Sequence, residues 1–181
     1  DRIRPPMSGE WQQLANHARV EVGNRGIAIA DGDVESRFAQ RGCLLLVEGQ
    51  ALAIQAQAEI VGAATQVSLM SALAVSATTL PLSILSYVRR TLEPLVLIDA
   101  ATEASYASDE YIAREQPRSI LCLPIRRQAQ QLGLLYLENN LAAGAFTAQT
   151  LTVLELLAAQ AAISLESAQL YEELRQHREH L

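Results

Sequence analysis

The sequence predicts an α+β fold in which one antiparallel sheet is covered by helices on both sides. Two apolar runs, residues 119–125 and 132–138, are separated by six residues, which predicts a β-hairpin. Both faces of both runs are apolar, so we expect this part of the sheet to be buried on each side. A very long helical pattern, residues 147–181, follows the hairpin and supplies apolar surface for such a contact.

Two further strands are predicted upstream of the hairpin. Residues 43–47 form an apolar run that is typical of a buried strand. In residues 52–60, apolar side chains alternate with polar ones, which predicts a strand with one solvated face. Residues 62–79 are small, apolar and hydroxylated, and they show no clean period.

A short helix, a short strand and a polar loop follow. Pro81 suits the first turn of a helix that continues to Thr91. Pro94 ends this helix, because the residue before a proline is disfavoured in the α conformation. Residues 95–98 predict a short strand, and residues 99–115 predict a loop with one helical turn.

Residues 1–36 predict a separate N-terminal segment of helix and turns. Apolar residues repeat at helical spacing over residues 9–19, which favours a short helix. Glycines predict a turn at residues 23–26. Asp33 can cap a second short helix that ends at Gly42.

Composition and charge indicate one globular domain and exclude several partners. Of the 181 residues, 50% are hydrophobic and 19% are charged, which is enough to bury a core. Lys+Arg 14 against Asp+Glu 20 leaves a net charge of −6, so we expect no nucleic-acid partner. No apolar run of about 20 residues and no signal peptide is visible, so we expect no membrane partner and a cytoplasmic location. We interpret the chain, which starts at Asp1 and stops within a helical pattern, as a piece of a longer protein.

The C-terminal helix has a clear start and more apolar surface than one sheet can cover. Thr147 is a good N-cap, and Phe146 can pack against Leu151 four positions into the helix. Residues 151–165 are apolar on nearly all sides, so we expect a second helix to cover the far side. Beyond Glu166 the pattern narrows to a seam typical of a coiled coil.

These features predict a parallel homodimer through the C-terminal helix. The alternative is an ordinary amphipathic terminal helix with a frayed polar end. The residues expected at the dimer contact are Leu154, Ala158, Ala161, Leu165, Ala168, Tyr171 and Leu174.

Motifs along about four-fifths of the chain resemble those of GAF domains, and in particular GAF domains of bacterial multi-sensor kinases of the histidine or Ser/Thr type. The matching strings, in the order usual for the family, are RGCLLL at 41–46, LPLSILSYVRRT at 80–91, VLIDA at 96–100, SDEYIAREQPRS at 108–119, SILCLPI at 119–125 and LGLLYLENN at 132–140, followed by the helix from residue 147.

The resemblance implies a GAF-like fold with a core over residues 37–146. Residues 62–79 would supply helix and loop material that roofs a ligand pocket. Residues 147–181 would complete the core and lead through a coiled-coil linker into an output domain, with a kinase as the parent protein. The N-terminal segment departs from the family, which usually carries one continuous helix into this point.

A small-molecule ligand is the partner that the resemblance implies, although the ligand and any cofactor stay unidentified. The polar residues expected to face the pocket are Tyr87, Asp99, Tyr106, Asp109 and Tyr111. Tyrosines can hold a small ligand by stacking and a hydrogen bond. The alternative is that these side chains only secure the loop of residues 99–115.

Catalytic and metal chemistry find little support in the sequence. Cys122 lies between leucines and no Cys-His pair exists, so we expect no bilin. His177 and His180 share a helix face but lack a third ligand nearby, so we expect no metal site. We therefore expect a sensory domain without catalytic residues, and the main enzyme alternative is a GAF-type free methionine sulfoxide reductase, which needs accessible thiols at Cys43 or Cys122. A structural dimerisation module without a ligand is the other alternative.

Overall fold

A computed structural model describes residues 20–23, 26–29, 39–61 and 64–179. Its centre is a six-stranded antiparallel sheet with the strand order β5-β4-β3-β8-β7-β6. The predicted α+β fold with one antiparallel sheet is therefore confirmed. The strands of this sheet are β3 (Arg41–Glu48), β4 (Ala51–Val61), β5 (Ala64–Ala74), β6 (Leu95–Leu97), β7 (Ser119–Arg127) and β8 (Gln130–Asn139).

The predicted hairpin is present as β7 and β8, and both strands extend beyond the apolar runs. Their register pairs Ser119 with Asn139 and Arg127 with Gln130. The connection contains no glycine, and Gln128 instead adopts a positive φ of 52°. The polar residues beyond the two apolar runs thus continue the backbone pairing of β7 with β8, because this pairing does not require apolar side chains.

One stretch differs from its prediction. Residues 62–79 were expected to supply helix and loop material, but Ala64–Ala74 forms the edge strand β5, paired with β4. A weak alternation does exist, since Val67 and Leu69 are separated by Ser68. Small residues dilute this alternation, and pairing with the long strand β4 decides the conformation.

The first face of the sheet is covered by two helices, α1 (Leu82–Thr91) and α2 (Glu110–Glu115), with a short 3-10 helix at Ala104–Tyr106. Helix α1 follows Pro81 as predicted, and it ends at Leu92, which adopts a positive φ of 58°. The buried side chains of this face are Cys43, Leu45, Ile54, Leu80, Ile84, Leu85, Val88, Leu97, Ala100, Ile112, Ile120, Cys122, Leu134 and Tyr136.

The second face is covered by α3 (Ala148–Glu179), which packs against β7. Its start is as predicted: the Thr147 hydroxyl accepts the N–H of Thr150 at 3.3 Å, and Phe146 is buried beside Leu151. The sheet is therefore covered on both sides, as the two apolar faces of β7 and β8 require. The buried side chains here are Ala39, Leu44, Leu121, Leu123, Ile125, Leu137, Phe146, Leu154, Ala158 and Ala162.

The N-terminal predictions fall mostly on residues 9–19 and 33–38, which lie outside the described residues. Two short strands, β1 (Val20–Gly23) and β2 (Gly26–Ile29), pair with each other, with Gly23 opposite Gly26. The centre of the predicted turn, residues 24–25, lies outside the described residues. Gly42 does not end a helix as predicted. It lies in β3, where it pairs with Leu137 of β8, because β3 begins at Arg41, two residues before the predicted start of this strand.

Candidate functional site

The five residues expected to face a pocket all lie on the first-face side of the sheet or at its rim, but they do not form one cluster. Tyr87 and Tyr106 are half-buried and pack against the first-face core. Asp99 lies at the surface beside Arg118. Asp109 and Tyr111 belong to the start of α2. Each group therefore has a different local role.

Asp109 joins the first turns of two helices. One carboxylate oxygen accepts the backbone N–H groups of Tyr111 at 3.0 Å and Ile112 at 3.3 Å, and so caps α2. The other oxygen accepts the backbone N–H of Ser83 at 2.9 Å and its hydroxyl, at the start of α1. Because both oxygens bond to the protein, Asp109 is better placed to connect α1 and α2 than to bind a ligand.

Asp99 closes the loop that follows β6. Its carboxylate pairs with the Arg118 guanidinium, with Nη2 at 2.9 Å, and accepts the N–H of Ala101 at 3.3 Å. The ion pair is partly solvated, so its contribution to stability is small. This arrangement favours the alternative in which Asp99 secures the loop.

A buried carboxylate, Glu138, lies at the centre of a polar network that the sequence did not single out. Its side chain is 2% exposed and lies near the end of β8. The Tyr111 hydroxyl lies 2.9 Å from both carboxylate oxygens, and the Tyr136 hydroxyl donates to one of them at 2.7 Å. A single acidic residue ending an apolar strand was the available signal, because a buried carboxylate needs partners.

Arg41, the first residue of β3, supplies positive charge next to this carboxylate. Its Nη1 donates to the Tyr111 hydroxyl at 2.7 Å and to the carbonyl of Thr79 at 2.8 Å. Its Nη2 donates to Gln57 at 3.2 Å, and its Nε lies 3.3 Å from the Glu59 carboxylate. Arg41 therefore connects β3, β4, α2 and the chain before α1.

Two guanidinium groups also contact the Tyr111 ring. Those of Arg41 and Arg114 each lie 5.8 Å from the ring centroid, at a distance typical of cation–π contacts. Arg114 also donates to the carbonyl of Thr78 at 2.6 Å. The ring and the hydroxyl of Tyr111 thus both have protein partners, which favours its structural role.

Burial keeps the tyrosine hydroxyls of the network protonated. It raises the pKa of Tyr111 and that of Tyr136, and the nearby Glu138 carboxylate raises both further. Burial alone would lower the pKa of Arg41, but the neighbouring acidic groups outweigh it and the pKa is raised. Because the folded-state phenol pKa values are raised, their stabilising effect is present below about pH 10 and is lost as the pH rises further.

Both thiols are buried. Cys43 is 1% exposed and Cys122 is 0% exposed. Burial raises the pKa of Cys43 to about 11, and it also raises the pKa of Cys122. Among the described residues, no group of three or more His, Cys, Asp or Glu side chains is arranged to hold a metal ion.

The residues expected at a dimer contact divide into three sets. Leu154 and Ala158 pack against the sheet, at 4% and 5% exposure. Tyr171 and Leu174 are exposed. The side chains of the remaining three, Ala161, Leu165 and Ala168, lie outside the description.

Helix α3 presents a second apolar surface opposite the sheet. Leu156 is 68% exposed, Ile163 is 50% exposed and Leu170 is 53% exposed, and these residues are spaced by seven. Leu174 is 62% exposed and follows Leu170 by four positions. We call the set Leu156, Ile163, Leu170 and Leu174 the outer stripe. Its steps of seven, seven and four residues match the heptad repeat of a coiled-coil seam.

Comparison with known proteins gives a consistent family and fold. The family model described as GAF domain matches residues 34–165. Hybrid signal transduction histidine kinase G of Dictyostelium discoideum is 40% identical over 95 residues, which are 52% of this chain and 3% of that protein. No helix in the described part of the chain is both long and apolar enough to cross a membrane.

Solved structures of low sequence identity have the same fold. The GAF domain of a two-component sensor histidine kinase from Bacillus halodurans matches with a TM-score of 0.55 and 16% identity, over 93% of this chain and 99% of that one. A type II free methionine-R-sulfoxide reductase from Thermoplasma acidophilum matches with a TM-score of 0.51 and 12% identity, over 86% of each chain. The same fold thus occurs in a sensor kinase and in an enzyme.

Proposed function

Since the chain belongs to the GAF family, we propose that it is a sensory or regulatory domain of a larger cytoplasmic signal-transduction protein, with a sensor kinase as the parent. The resemblance to part of a hybrid histidine kinase supports this parent. The domain would comprise a core of residues 37–146 and a helix of residues 147–181 that leads to the output domain. In this role the segment itself needs no catalytic residue.

The second part of the proposal is a parallel homodimer through the outer stripe. Leu154 and Ala158 are already buried against the sheet, so the contact with a second copy would use the opposite surface of α3. Gln160 and Ser167 are exposed and lie between the stripe residues at the alternate seam positions. Polar residues at seam positions of a coiled coil favour one register of the paired helices and one oligomeric state, at a cost in stability.

The third part is a small molecule held on the first-face side. Tyr87 and Tyr106 are the best candidates, because they are half-buried and aromatic and adjoin the core under α1. Asp99, Asp109 and Tyr111 bond to the protein, so in this proposal they position the surrounding chain. Ligand occupancy would act by changing the relative stability of two packings of the paired α3 helices, which requires different affinities for them.

Native mass spectrometry of the chain tests the dimer, with Ile163→Glu as the main variant and Gln149→Glu as its control. Both substitutions add the same charge to α3, but Gln149 is an exposed residue of the first turn, outside the stripe. We expect a wild-type dimer that Ile163→Glu weakens by about 2 kcal/mol or more, because a charge would be buried without a partner. A wild-type monomer, or equal effects of the two variants, would contradict the stripe contact.

The same spectra test the ligand. An additional mass on the wild-type chain that is lost in Tyr106→Ala would support the aromatic site. If no mass is found from cell extract or purified protein, the dimerisation module without a ligand becomes the better proposal. The dense protein bonding of Asp109 and Tyr111 is the observation that favours this second candidate.

The sulfoxide-reductase alternative makes a different prediction about the thiols. Both thiols are buried, and burial raises both pKa values, so each stays protonated and inaccessible at pH 8. We therefore expect neither cysteine to react with a thiol-specific disulfide reagent in the folded chain at pH 8. Both should react in denaturant at the rate of free cysteine. Rapid reaction of either thiol in the folded chain would favour the enzyme instead.

A further inference from the structure

The chain enters and leaves the GAF core at one place. The N–H of Gln40, just before β3, donates to the carbonyl of Glu138 at 2.8 Å. The N–H of Asn140, just after β8, donates to the Gln40 side chain. Ala39 and Phe146 belong to the same buried cluster on the second face. We call residues 39–41 and 138–147 the junction.

The junction is also the direct lead into α3. The Asn139 side-chain oxygen accepts the N–H groups of Leu141 at 2.9 Å and Ala142 at 2.8 Å. The buried Ser119 hydroxyl donates to the carbonyl of Ala142 at 2.7 Å and accepts the N–H of Ala145 at 3.0 Å. A shift at Glu138 would therefore act on a set of hydrogen bonds that ends at Ala145, three residues before α3 begins.

The side chain of Glu138 points toward α2, one of the two helices that cover the first face of the sheet. Its carboxylate accepts the Tyr111 hydroxyl of α2, while its carbonyl accepts the N–H of Gln40. Asp109 ties α2 to the start of α1, so the two helices are joined. Tyr111 is thus the side chain through which this pair of helices reaches the end of β8.

We propose that the hydrogen bond between Tyr111 and Glu138 is a regulatory latch that couples the position of α1 and α2 to the junction and the start of α3. A displacement of α2 breaks the latch and loosens residues 138–147, and a change at the junction loosens α2 in return. This reciprocity follows because one equilibrium links both places. The latch does not require a ligand or a dimer, so it stands or fails separately from the proposed function.

A purely stabilising role is the competing explanation, because any buried carboxylate needs donors. The two tyrosines separate these explanations. Tyr111 and Tyr136 each donate one hydroxyl to the same carboxylate, but Tyr111 lies on α2 and Tyr136 lies on β8 beside Glu138. Tyr111→Phe removes the bonds that join α2 to Glu138 of β8 and to Arg41 of β3, whereas Tyr136→Phe removes a bond within one strand.

Amide hydrogen exchange of the wild-type, Tyr111→Phe and Tyr136→Phe chains tests the latch. We expect Tyr111→Phe to speed exchange about tenfold both in α2 and in residues 138–147. Tyr136→Phe should leave α2 at the wild-type rate. Faster exchange in α2 alone, or the same pattern in both variants, would overturn the proposal.

Asp109→Asn supplies a second measurement that remains useful if Tyr111→Phe unfolds the chain. This change weakens the connection of α2 to α1 but leaves the Tyr111 hydroxyl in place. We expect faster exchange at the start of α1 while residues 138–147 keep the wild-type rate. Acceleration at α1 and at the junction while α2 keeps the wild-type rate would overturn the latch, because the coupling would then bypass α2 and Tyr111.

Discussion

Gly133→Ala is expected to lower the free energy of unfolding by about 3 kcal/mol or more. A Cβ at this position would lie 2.0 Å from the carbonyl oxygen of Leu45 and 3.1 Å from its carbonyl carbon. Both atoms are backbone of β3, which pairs with β8 at the centre of the sheet. Relief would require the two central strands to separate, so strand pairing or the core must be disturbed.

Gly49→Ala is the matched control for this prediction. Gly49 has a φ of 63°, and a Cβ there would meet no atom within 4 Å. The control therefore carries only the backbone cost of the left-handed region, about 1 kcal/mol. Urea denaturation of both variants measures the difference. Equal losses would contradict the prediction, because they would show that β3 and β8 relieve the contact at position 133 at little cost.

Arg41→Met should destabilise the chain by about 3–5 kcal/mol, because it removes the cation from a buried cluster and leaves its acidic partners. Arg41 bonds to Tyr111 of α2, to Thr79 before α1 and to Gln57 of β4, and it pairs with Glu59 of β4, so three parts of the chain lose a common partner. Methionine retains much of the apolar volume, which limits the contribution of a cavity. Urea denaturation monitored by circular dichroism gives the free energy.

Arg114→Met is the control for the charge. Its guanidinium lies at the same 5.8 Å from the Tyr111 ring, but its side chain is 42% exposed and its ion pair with Glu115 is solvated. We expect a much smaller change in the denaturation midpoint than for Arg41→Met. Similar losses from the two variants would mean that the ring contacts, and not the buried network, account for the stability.

Both predictions concern residues that position elements of the proposed signalling path. Gly133 allows β3 and β8 to approach at the sheet centre, and Arg41 and Glu138 join these strands to α2 at their ends. The outer stripe of α3 lies on the opposite side of the sheet from that network. Among the described residues, the strands and the loop before α3 connect the first-face helices to the helix of the proposed dimer.

Much of the fold was predictable because its signals are local. The hairpin of β7 and β8 follows from two apolar runs, and the start of α3 follows from a threonine cap and a neighbouring phenylalanine. Strand β5 was missed, because its small residues carry a weak alternation and pairing with β4 supplies what the local pattern lacks. The polar network was missed for a different reason: Arg41 and Tyr111 are 70 residues apart, and Tyr111 and Glu138 are 27 apart.

The sequence alone determined the family, the covered antiparallel sheet and a C-terminal helix with two apolar sides. These properties follow from hydrophobic periodicity and from the order of the motifs, which depend on residues close together in the sequence. Only the tertiary structure decided which side of α3 meets the sheet and which acidic group is buried. Both depend on how distant segments pack, since a helix with apolar surface all round and an acidic residue at a strand end each allow several arrangements until their neighbours are in place.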